Sequence, residues 1–159
     1  MMVEGRWVIP VSVVVAMALT ILPMPESIQT FRPDWVVLVC IYWIIALPQR
    51  YGVVMAWICG LFLDVLQGTL LGQHALALAF TGFVTHKLHL QIRTFPVVQQ
   101  SLGVLALTAM YHFVLLWLDG IAGTPTSTAV HWGPPLSSMV FWPIVFGILR
   151  DLRRRVGLR

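Results

Sequence analysis

Charge is what this chain has least of. Lysine, arginine, aspartate and glutamate make up 10% of its 159 residues, where a soluble domain carries about 25%. A soluble globular body of this size is thereby excluded, because its surface would lack the polar groups to cover it. Cysteine is scarce as well. Cys40 and Cys59 both lie in apolar runs, without a CxxC or a metal-ligand spacing, and read as free buried thiols. Acidic residues number six, and Asp64 is the single charged residue between Arg50 and Lys87. Paired carboxylates and the GxSxG, HExxH, DxxD and Walker A patterns are missing. The sequence therefore predicts no enzyme, no cofactor and no metal. Internal repeats and low-complexity segments are also absent, and no room is left for a second, soluble domain.

What is present is apolar. Hydrophobic residues account for 58% of the chain, and the mean hydropathy is +0.86. The chain reads as one all-α, polytopic membrane domain over residues 1–159. Six apolar runs can be cut from it, at about 7–22, 34–47, 51–66, 69–86, 97–118 and 135–149. They predict six transmembrane helices followed by a basic tail at 150–159. The first run is not read as a cleavable signal, because Pro23, Met24 and Pro25 follow it without a small-x-small site.

The breaks have physical causes. Pro33 cannot sit inside a helix, whereas Asp34 after it can cap one. Pro48 ends the second run and Pro96 restarts the chain after a polar loop, "KLHLQIRT". "QGT" at 67–69 signals a tight hairpin. The stretch 119–135 reads as the longest polar connection, with His131 in it, and Pro143 should kink the sixth helix. Several runs are short. The second, at 14 residues, would be about 21 Å long as a helix, against a hydrocarbon core of about 30 Å. It must extend into its loops, thin the bilayer or be shielded by partners.

With six spans, one side collects Arg6, Arg50, Lys87, Arg93, Arg150, Arg153, Arg154, Arg155 and Arg159, and the other holds only Arg32. The positive-inside rule makes the first side, with both termini, cytoplasmic. Arg150, Arg153, Arg154 and Arg155 form a cluster suited to anionic lipid headgroups. These charges line a membrane face rather than a groove, so nucleic-acid binding is not expected.

Asp64 poses the main question, since an ionised carboxylate in a bilayer is costly. Its place near the end of the third run lowers that cost. Three roles stay open: a tie across the hairpin, with turn donors at Gly68, Thr69 and nearby residues; a contact to another subunit; and coordination of an ion or substrate. Gly60, Asp64, Gly68 and Gly72 recur at four-residue steps. The hairpin interrupts the GxxxG pattern of the last two, which read as points of close backbone approach rather than a dimer motif. His74 can reach Asp64 across the hairpin, and His112 reads as hydrogen-bonded inside the bundle. His86 and His89 have a spacing that a metal can use, but they read as solvated. Trp43 and Trp142 lie deep and need partners for their indole N–H groups.

Two blocks carry a family resemblance. "RPDWVVLVCIYWIIALPQR" at 32–50 holds Arg32, Pro33 and Asp34, then Tyr42, Trp43 and Pro48. "GLFLDVLQGTLLGQHALALA" at 60–79 holds Asp64, Gly68, Gly72, Ala75 and Leu76 as D-x-x-x-G-x-x-x-G-x-x-A-L. The whole chain resembles the MreD family of rod shape-determining proteins, with His74 where relatives often carry arginine. The resemblance implies a six-helix fold similar to the S-components of energy-coupling-factor transporters. It also implies a non-enzymatic scaffold of the bacterial inner membrane that binds MreC. Through MreC it would be linked to RodA, to the elongation-specific penicillin-binding transpeptidase and, indirectly, to MreB filaments. The similarity to S-components keeps a second reading open: a small-molecule-binding transporter subunit, with Asp64, His74 and Trp43 lining an outward-facing pocket.

Overall fold

The structure, a computed structural model, describes residues 4–123 and 128–158. A 3-10 turn at Glu4–Trp7 leads into α1 (Val8–Ile21). A four-residue helix, α2 (Glu26–Gln29), is followed by α3 (Trp35–Ala46), α4 (Val53–Gln67), α5 (Gln73–Thr94), α6 (Val97–Ala122) and α7 (Thr128–Val156). No strand occurs among the described residues. The fold is all-helical, as composition required.

α3 is the centre. Every residue from Val36 to Ile45 is buried, and α1, α4, α5, α6 and α7 all touch this helix. A helix that is apolar on every side can be buried in a core or face lipid; "VVLVCIYWII" offers no polar face, and here its neighbours enclose it. The short second run is thus shielded by its own chain. Trp43 is fully buried there, and its Nε1 donates to Ser12 Oγ of α1 at 2.9 Å. Tyr42 stacks edge-on against Phe146 of α7. Trp142 is also fully buried, but its Nε1 has no hydrogen-bond partner among the described residues.

The outer faces are apolar in turn. Val14 of α1, Val54 and Val65 of α4, Phe113 and Trp117 of α6, and Val140 and Ile148 of α7 are all exposed. Such a surface suits lipid and not water. Val97–Ala122 and Trp132–Val156 are long and apolar enough to cross a membrane.

α4 and α5 form a closely packed hairpin because small residues line the seam. A Cβ on Gly60 would overlap the backbone of Ala75, and one on Gly82 would press on the Cβ of Ala56. At the other end of the bundle, Gly5 sits against Val156 and Leu158, which brings the 3-10 turn before α1 against the end of α7.

Two expected connections and the expected tail are helical over all or part of their described residues. "KLHLQIRT" contains no glycine or proline, so α5 runs on to Thr94 and only Phe95 and Pro96 separate it from α6. The basic tail forms the last turns of α7, up to Val156; Arg159 lies outside the described residues. Of the expected connection at 119–135, α6 takes the start up to Ala122 and α7 the end from Thr128, so His131 is on a helix. Residues 124–127 lie outside the described residues. α7 continues through Pro134, Pro135 and Pro143.

Candidate functional site: a polar cavity at one end of the bundle

α4 ends where Gly68 takes the left-handed conformation, with φ 66°. The N–H groups of Gly68 and Thr69 both return to the main-chain carbonyl of Asp64, a common helix stop. Those two N–H groups are therefore consumed, and of the expected turn donors it is the nearby residues that serve the Asp64 side chain. That side chain reaches onward to the start of α5. Its oxygens accept from the backbone N–H of Gly72 at 2.8 Å, of His74 at 2.8 Å and of Ala75 at 3.4 Å, and from Thr69 Oγ1 at 3.0 Å. Helix N-termini carry orphan N–H groups, and Gly72, the residue before α5, has no side chain to cap them. Asp64 of the preceding helix caps α5 in its place, where a negative charge also matches the helix dipole.

Gly68 and Gly72 are not points of close approach. A Cβ on either would meet nothing within 4 Å. What requires glycine is the backbone, at φ 66° and 101°, a region that L-residues disfavour. The close approach belongs to Gly60.

His74 Nδ1 lies 2.8 Å from Asp64 Oδ1. An ionised carboxylate only accepts, so that nitrogen carries the proton. Asp64 is 1% exposed and His74 7%, and their pairing offsets part of the cost of burying each.

A second Asp–His pair stands nearby. Asp34 occupies the N-cap position of α3 without capping it. Its Oδ2 lies 2.6 Å from His112 Nε2 of α6, and its backbone N–H donates to Ser138 Oγ of α7 at 3.1 Å. One residue thus joins three helices. Tyr111 lies between the pairs, its ring centroid 6.3 Å from that of His74 and 5.2 Å from that of His112. The Arg32 guanidinium donates to the carbonyls of Thr20 and Leu22, closing the C-terminal end of α1.

These groups surround one cavity of about 450 Å³. Arg32, Asp34, His74, Tyr111 and His112 line it, with Thr69, Gln67 and Gln29. Of the residues singled out in the sequence, Arg32, Asp34, His74 and His112 thus meet at one site, with Asp64 behind His74 and the two glycines in the adjoining turn. Trp43 is not part of it. Arg150, Arg153, Arg154 and Arg155 are on the last turns of α7, near the chain ends. His86 and His89 stack at 5.4 Å, and His89 Nδ1 contacts the His86 carbonyl. Among the described residues no group of three or more potential metal ligands occurs. Sequence reading missed the Asp34–His112 pairing and Tyr111. The available signal was a lone histidine in an apolar run and a lone aspartate at a helix start, each in need of a polar partner.

A buried all-apolar helix, apolar outer faces and charges gathered at helix ends define a helical membrane protein. The family model for "rod shape-determining protein MreD" matches residues 1–152. A rod shape-determining protein MreD from Haemophilus influenzae is 33% identical over 149 residues, covering 91% of this chain and 90% of the relative. The chain belongs to the MreD family of rod shape-determining proteins. No solved structure matches it significantly.

Proposed function

We propose that this protein is a non-enzymatic scaffold of the bacterial cell-elongation complex, which binds MreC and helps to position and regulate peptidoglycan synthesis. The observation that carries this reading is the family match over nearly the whole chain. In this reading the six longer helices, α1 and α3 to α7, are six spans arranged as in S-components. Both termini are cytoplasmic and the protein resides in the inner membrane. Two features support that topology: the start of α1 and the end of α7 meet at one end of the bundle, through Gly5 against Val156 and Leu158, and all the basic residues but Arg32 fall on one side when the six helices alternate. Arg150, Arg153, Arg154 and Arg155 grip anionic headgroups. Asp64, Gly68, Gly72, His74, Arg32 and Asp34 shape the outer end, where the partner is met. RodA and the transpeptidase join through MreC, and MreB filaments indirectly.

Purification in detergent from cells holding both proteins at native levels tests this. MreC should co-purify in a fixed ratio. Recovery of a monodisperse protein free of MreC would overturn the reading.

A further inference from the structure

Arg32 and Asp34 are two residues apart and line the same cavity, yet no salt bridge joins them among the described residues. Pro33 stands between them. Arg32 donates to two main-chain carbonyls, which are neutral, and among the described residues its positive charge meets no carboxylate. Its Nε is buried without a hydrogen-bond partner among the described residues. Asp34 touches His112 through one oxygen. Its side chain is 19% exposed, whereas that of Asp64 is 0% exposed. Asp64 is sealed by its donors, and Asp34 is the carboxylate with lone pairs facing the cavity. His74 and His112 are each held by an aspartate. That leaves one cationic and one anionic group facing the same space.

We propose that this cavity binds a small zwitterion, its carboxylate toward Arg32 and its ammonium toward Asp34. The charge pattern discriminates among occupants. An acyl chain would leave both charges unsolvated. A simple anion would confront Asp34, and a simple cation Arg32. A zwitterion answers both. The volume of about 450 Å³ falls in the usual small-molecule range of about 300–1,000 Å³ and admits an amino acid or a dipeptide. Gln29 and Gln67 supply amides at an exposed rim, and Tyr111 supplies an aromatic wall. Binding there would bridge the α1–α3 connection to α6. It requires no transport, and it does not depend on the scaffold reading.

Thermal unfolding of the full chain in lipid nanodiscs tests the proposal, because a ligand that binds only the folded state raises the midpoint. The probes are free alanine, free alanylalanine and N-acetyl-alanylalanine amide, which has similar bulk and no charge. At millimolar concentration at least one free zwitterion should raise the midpoint, and the capped peptide should not. Arg32→Gln and Asp34→Asn should each weaken binding about tenfold or more; Asp34→Asn keeps an oxygen for His112. Should Arg32→Gln fail to fold, the comparison of free and capped probes on the unaltered chain decides alone. No shift with either free probe, or an equal shift with the capped one, overturns the proposal.

Discussion

Asp64 receives hydrogen bonds from Thr69, Gly72, His74 and Ala75 while almost wholly buried. Charge-assisted bonds of this kind are worth about 1.5–3 kcal/mol each when a partner is removed. Asp64→Asn keeps one accepting oxygen but turns an amide N–H₂ toward the backbone donors. Asp64→Leu leaves all of them bare. Thermal unfolding should therefore rank the variants as wild type, Asn, then Leu, with Leu lower than Asn by about 1–3 kcal/mol. Rod shape in cells should follow the same order. Equal loss of shape for both, at normal protein levels, would show that the charge acts on something other than α5. At Gly72, with φ 101°, Gly72→Ala should cost about 1–2 kcal/mol through backbone strain alone. Nothing crowds the position, so unbranched side chains should cost little more than alanine, and β-branched ones more because they resist φ > 0.

At the scale of elements, the α4–α5 seam depends on the absence of a side chain at Gly60. Gly60→Ala would drive a methyl group into the Ala75 backbone, and such overpacking costs about 1–3 kcal/mol or more. Gly103→Ala on α6 is the matched control, since a Cβ there meets nothing within 4 Å. It should leave the unfolding midpoint unchanged or raise it, alanine being the better helix former by about 1 kcal/mol. The second tie, between α3 and α6, is open to a double-mutant cycle on Asp34→Asn and His112→Gln. Their coupling should lie at about 0.5–3 kcal/mol, as for residues in one hydrogen-bonded network. Additivity of the two would mean that the short Asp34–His112 contact carries no energy.

For the whole molecule, the elements were more legible than their ends. Apolar runs located the longer helices, because a membrane-compatible helix must be apolar for most of its length. Boundaries failed where polar residues continued a helix: "KLHLQIRT" and "RDLRRRV" keep helical backbone, since composition changes there while helix propensity does not. The site was legible in part. Asp64 and His74 are ten residues apart across a turn, a distance that sequence reading can bridge. Asp34 and His112 are 78 residues apart, and only the stacking of α6 on α3 brings them together. The six-span topology has its own test. A reporter fused to the C-terminus should be active in the cytoplasm, and one inserted at 124–127 should be active outside it. The reverse pattern, or the same side for both, would refute the proposed orientation.

The sequence alone determined that the protein is helical, that it belongs in a membrane and that its few interior charges need partners. Those properties follow from composition and local periodicity, which every conformation of the chain shares. Which run becomes the enclosed centre was decided by tertiary structure. So was the capping of α5 by Asp64 rather than by a residue of its own, and the gathering of Arg32, Asp34, His74 and His112 around one cavity. Those outcomes depend on which helices lie side by side. That depends in turn on small residues such as Gly60 and Gly82, whose effect is to let a neighbour approach, and the neighbour is named only by the fold.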